Sequence, residues 1–88
     1  MKILVVCGMG LGSSHYLLLE VIKLVKEFGL DAQVDNCDLF TAQSTEADVY
    51  IGADYLMGML NCEGVIIGLE DILDHTELRT HIKGLKER

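Results

Sequence analysis

Eighty-eight residues, with fourteen Asp and Glu against seven Lys and Arg, fit one domain, 1–88, and leave no room for a second. An acidic chain without a basic stripe excludes nucleic acid as a partner, and its longest apolar stretches fall short of the ~20 residues of a membrane span. No basic segment leading into an apolar run opens the sequence, and Cys7, Cys37 and Cys62 match neither a C-x-x-C nor a zinc spacing, so reduced thiols in the cytosol are the expectation.

Lys2 to Val6 is a short, nearly continuous apolar run, as expected of a parallel strand buried on both faces. It runs into the segment Cys7-Gly8-Met9-Gly10-Leu11-Gly12-Ser13-Ser14. A helix is predicted from Ser14 to Phe28, with Leu18, Val21, Ile22, Val25 and Phe28 at helical spacing and Gly29 placed to end it in a left-handed cap. Ala32 to Cys37 alternates weakly and reads as a second strand nearer an edge. Asp38 to Ala47 is polar and reads as loop with a helical turn. Val49 to Gly52 is a third strand, Tyr55 to Leu60 a short helix and Val65 to Gly68 a fourth strand. The last helix has the clearest start: Asp74 and Glu77 form a capping-box pattern, with Leu73 and Leu78 as its staple. Leu78, Ile82 and Leu85 then make its apolar stripe, and Gly84 weakens the last turn.

This alternation predicts an α/β fold: a small open four-stranded parallel sheet with helices on both faces and a cysteine-containing phosphate loop after the first strand. In such sheets ligands sit beyond the carboxyl ends of the strands, where Cys7 and the glycines fall. Glycines at 8, 10 and 12 let the backbone curl close to an anion, with successive N–H groups turned inward. The helix that follows adds its unpaired N–H groups and the positive end of its dipole. Ser13 and Ser14 can cap it or donate to phosphate oxygens. The same field acts on sulfur, since a helix N-terminus can pull a thiol from about 8.5 to ~3.5–7.5. One loop thereby makes a nucleophile and cradles what it attacks, which suits phosphoryl transfer. A buried, inert Cys7 in a tight turn is the plainer reading, but three alternating glycines followed by two serines go beyond what a turn needs.

The remaining candidates carry less. Cys37 and Cys62 have no glycine loop after them and read as structural thiols. His15 reads as a surface residue near the loop, and His75 and His81, six apart, do not share a helical face for a metal. Asp54 is the acid nearest the functional end of the sheet, and reads as the start of the following helix. Tyr55, Met57 and Met59 fit either a contact surface or the core.

The segment from Ile3 to Ser14 resembles the IIB components of the bacterial phosphoenolpyruvate-dependent sugar phosphotransferase system, nearest the ascorbate-type subgroup. The likeness extends to Val34–Leu39, Ala47–Ile51 and Ile72–Leu78, with Cys-Gly-x-Gly-x-Gly-Ser-Ser as its specific part. It implies a phosphocysteine carrier without a cofactor. A IIA phosphohistidine protein gives its phosphoryl group to Cys7, which passes it to a sugar, ascorbate by subgroup, bound by the membrane permease IIC. Gly8, Met9, Gly10, Leu11, Gly12, Ser13 and Ser14 are by that likeness the phosphate cradle, and the carrier is cytoplasmic and peripheral to the permease. The rival is a low-molecular-weight cysteine phosphatase or arsenate reductase. Such a phosphatase needs an Arg six residues after the Cys, where this chain has Ser13, and an acid usually followed by Pro, which is absent here. A dinucleotide-binding fragment falls one glycine short of its fingerprint. Thioredoxin-like chemistry lacks its C-x-x-C, and a binding module remains the reading if Cys7 is inert.

Overall fold

A computed structural model describes residues 1–7 and 12–87, with 7 and 12–14 through their backbone alone. The elements alternate: β1 (Lys2–Cys7), α1 (Gly12–Glu27), β2 (Gln33–Asp38), α2 (Leu39–Gln43), β3 (Val49–Ala53), α3 (Asp54–Met57), β4 (Val65–Leu69) and α4 (His75–Lys86). The four strands form one parallel sheet in the order β2-β1-β3-β4. β1 is therefore central, and the chain leaves it toward β2 on one side before crossing back to β3 on the other.

Successive strand residues point to opposite faces, so the apolar run of β1 serves two cores. Ile3 and Val5 pack with Leu17, Val21 and Leu24 of α1 and Leu78, Ile82 and Leu85 of α4. Leu4 and Val6 pack on the other face with Tyr50, Ala42 of α2 and Leu56 and Met57 of α3. Helices thus cover both faces, as the alternation predicts. The buried stripe of α1 is centred on Leu17, Val21, Leu24 and Val25, with Leu18, Ile22 and Phe28 only half-buried. This rotation from the predicted stripe arises because α1 is apolar around much of its circumference, and contact with both the sheet and α4 decides which residues are covered.

Gly29 ends α1 with φ 67°, donating to Lys26 O at 3.2 Å while Leu30 N donates to Val25 O at 2.9 Å, a Schellman arrangement. α4 closes the same end from across the face: Lys86 Nζ donates to Phe28 O, and Arg79 pairs with Glu27 and lies 4.9 Å over the Phe28 ring. The polar 38–47 stretch contains a real helix, α2, because Asp38 accepts from Thr41 N at 2.7 Å and caps it. α4 continues through Gly84 to Lys86, since the packing of Leu78, Ile82 and Leu85 outweighs the cost of one glycine.

The start of α4 departs from the expected box. Asp74 Oδ1 accepts from Thr76 N at 3.0 Å and Glu77 N at 3.2 Å, but the Glu77 carboxylate reaches past Asp74 to accept from Glu70 N at 3.1 Å and Asp71 N at 3.2 Å. Asp74 N instead donates to Asp71 O. Leu73 is 60% exposed and makes no staple; Ile72 packs against the core in its place.

Candidate functional site

The carboxyl ends of all four strands gather at one edge of the sheet, and β1 supplies the residue at its centre. Cys7 is the last residue of β1, with its backbone in register with Asp38 at the end of β2. On the other side Val5 is in register with Ile51, which carries Gly52 and Ala53 to the level where β1 ends. The approach there is close: a Cβ on Gly52 would stand 2.7 Å from Val6 O and 2.9 Å from Met57 Cε. Glycine at 52 lets β3 and α3 pack against the backbone that presents Cys7.

Gly12, Ser13 and Ser14 form the first turn of α1, which begins two residues before the expected Ser14. The two serines thus lie inside the helix rather than at its cap. Gly8, Met9, Gly10 and Leu11, the rest of the expected cradle, lie outside the described residues. The backbone on either side places a strand end and the N-terminus of a sixteen-residue helix at the two ends of that segment. This is the point in an open parallel sheet where the crossovers part to opposite sides, and where an anion meets unpaired N–H groups.

The surroundings are acidic. Thr41 N–H donates to Asp38 and holds its carboxyl below the usual carboxylate range, so it stands beside β1 as an anion and not as a proton donor. Asp54 opens α3 with Oδ1 against Gly68, where a Cβ would come within 2.6 Å of it. It lines a cavity of about 470 Å³ with Ala53, Tyr55, Glu70, Asp71 and Ile72 among its walls. Among the described residues lining that cavity there is no Lys, Arg or His.

The other sequence candidates separate cleanly. His15 is exposed on the first turns of α1. Met57 is core, whereas Tyr55 and Met59 are exposed. Cys37 is half-buried against the α2–α3 core, and the Cys62 thiol donates to Ala42 O at 3.5 Å. His75 Nδ1 lies 3.1 Å from Glu20 Oε2, and among the described residues no cluster of His, Cys, Asp and Glu could hold a metal. Sequence reasoning missed two residues here. Asp38 was signalled by Thr41 three positions on, a capping spacing hidden by the polarity of its neighbours. Glu77 was recognised as a cap partner, but its role in holding the β4–α4 turn depends on a contact seven residues back.

Fold and sequence together define an α/β protein with a cysteine at the end of the central strand of a parallel sheet and a glycine-rich segment following it in sequence. Residues 2–83 match the family described as the lactose/cellobiose-specific IIB subunit of the PTS system. The chain belongs to this PTS IIB family, and it is a phosphotransferase component of sugar transport. Among curated proteins it is 28% identical over 83 residues to the ascorbate-specific PTS system EIIB component of Mycoplasma pneumoniae, covering 90% of this chain and 87% of that one. Proteins of the same description from Salmonella choleraesuis and Salmonella typhimurium are each 26% identical over 76 residues, covering 82% of this chain and 75% of theirs. Among the described residues no helix is long and apolar enough to cross a membrane.

Proposed function

We propose that the chain is a phosphocysteine carrier, with Cys7 as the residue that accepts the phosphoryl group. The observation that carries this reading is the position of Cys7, last in the central strand and separated from the N-terminus of α1 by a glycine-rich segment of sequence. The donor is the phosphohistidine of a IIA protein. The Cys7 thiolate attacks phosphorus, an S–P bond forms as the N–P bond breaks, and the histidine nitrogen takes up a proton. In the second transfer a sugar hydroxyl held by the IIC permease attacks, an O–P bond forms, the S–P bond breaks, and Cys7 returns as thiolate while the hydroxyl proton leaves to solvent. Gly8 to Ser14 cradle the phosphoryl oxygens through backbone N–H groups and the two serine hydroxyls. The carrier works on the cytoplasmic side of the permease.

Position 13 holds serine where a phosphatase would carry its phosphate-clamping arginine, so hydrolysis has no cation to stabilise it and the phosphocysteine persists until an acceptor arrives. Ascorbate is the proposed sugar, supported by the curated relatives' descriptions; the family profile is described by lactose and cellobiose, so sugar choice is assigned to the permease. The test is intact mass after incubation with phosphoenolpyruvate, the two general phosphotransferase proteins and a IIA protein. One added phosphate on the wild type and none on Cys7→Ala is expected. Hydrolysis of free phosphoester without a phosphorylated carrier would replace this reading by a phosphatase.

A further inference from the structure

Charge is segregated along this chain. The seven basic residues fall at 2, 23, 26, 79, 83, 86 and 88, so positions 27–78 hold no Lys or Arg but twelve of the fourteen acids. The fold turns this into a difference between faces. α1 and α4 carry every described basic side chain except Lys2. The face covered by α2 and α3 carries Asp38, Asp54, Glu46 and Glu63, with Asp35 on the same side through its register with Leu4. Lys2, at the far amino end of β1 near Glu46, is the one described cation beside them.

The same face is incompletely covered. α2 and α3 have five and four residues, too few to span the sheet. Phe40 on α2 is 86% exposed, Tyr55 on α3 and Met59 just beyond it are more than half exposed, and Ile66, in register with Tyr50 on this side, is 38% exposed. The two short helices are tied together: Gln43 Nε2 donates to Met59 O at 3.4 Å and Gln43 Oε1 accepts from Asn61 N at 3.3 Å. These apolar side chains therefore project from a braced platform with an acidic border.

We infer that the α2–α3 face docks on the basic cytosolic loops of the membrane-embedded permease. This rests on the carrier reading above, and it identifies which surface of the carrier meets that partner. Charge selects among the possible occupants. A second copy would set two acidic faces against each other, and an anionic lipid surface repels this face. The cytosolic loops of membrane proteins are enriched in Lys and Arg, which complement an acidic rim, while exposed Phe, Tyr and Met are the residue types enriched at interface centres. Rim charges steer the encounter and make it salt-dependent, and the apolar centre sets how long it lasts.

The test uses the full chain and the purified permease in nanodiscs of zwitterionic lipid, with empty nanodiscs alongside. Phe40→Ala, Met59→Ala and the pair Glu46→Lys with Glu63→Lys replace exposed side chains outside the phosphoryl site, so folding and phosphorylation of Cys7 by the donor relay are expected to stay within twofold of wild type. Affinity for the permease is expected to fall about tenfold for Phe40→Ala and for the charge-reversed pair, and the wild-type affinity to fall with added salt. Unchanged permease affinity in all variants overturns the proposal. So does equal binding to empty nanodiscs, self-association through Phe40, or a parallel loss of phosphoryl uptake from the IIA protein, which would make this the donor's face. A wild-type chain that takes no phosphoryl group at all removes the carrier reading and this proposal with it, whereas failed docking alone leaves phosphorylated Cys7 in place.

Discussion

The Tyr50 hydroxyl accepts from Ala47 N at 3.0 Å and donates to Thr45 O at 2.6 Å, joining the turn before β3 to the core beneath α2. Burial, the largest cause, raises this phenol above its ordinary value. The neutral form is therefore favoured on folding, and the stability it contributes is complete below about pH 10, the unfolded value, and lost as pH rises through the folded one. Tyr50→Phe removes both hydrogen bonds and is expected to cost about 1–3 kcal/mol at pH 7. In urea unfolding at pH 7 and pH 11 the gap between wild type and variant should narrow at the higher pH; parallel losses at both would show that the hydroxyl contributes no linkage. None of this is visible from Val49-Tyr50-Ile51, where the tyrosine reads simply as a strand residue, because its partners are backbone groups of a turn. Cys7 is the opposite case, since the glycines and serines that mark it out as a candidate are its immediate neighbours in the chain.

Between elements, backbone approaches backbone closely where β3 passes the end of β1. Gly52→Ala puts a methyl 2.7 Å from the Val6 carbonyl oxygen, a backbone atom that cannot step aside as a flexible side chain would. Overpacking of this kind costs about 1–3 kcal/mol, and for a domain of this size each kcal/mol lowers Tm by roughly 4–8 °C. A thermal scan showing an unaltered Tm would mean that β1 and β3 can part here without cost. At the head of α4, Asp74 satisfies two N–H groups of the first turn. Asp74→Ala is expected to cost about 1 kcal/mol, and Asp74→Asn to recover most of it. Chemical denaturation of the two variants checks this, and equal stabilities would rule out the cap as the source. The sequence showed this helix, its cap and its stripe because all three are local. It showed the box and staple wrongly, since Glu77 finds two N–H groups of the preceding turn and Ile72 rather than Leu73 reaches the core.

Across the whole molecule, a short chain has divided its tasks between two faces. One carries the long helices α1 and α4, the larger core and nearly all described positive charge; the other carries two short helices, exposed Phe40, Tyr55 and Met59, and acids. With a formal charge of −7 spread so unevenly, partner choice is expected to depend on face rather than on net charge. By itself the sequence determined the alternation of strands and helices, the parallel sheet that alternation requires, and the cysteine and glycines at the carboxyl end of the first strand. These follow from periodicity and neighbouring residue types, which act over a few positions. Only the tertiary structure decided the order β2-β1-β3-β4, the buried stripe of α1 and the acidic, partly apolar face over α2 and α3. Those depend on where distant segments meet, and a crossover can bring residues dozens of positions apart onto one surface without leaving any mark on local pattern.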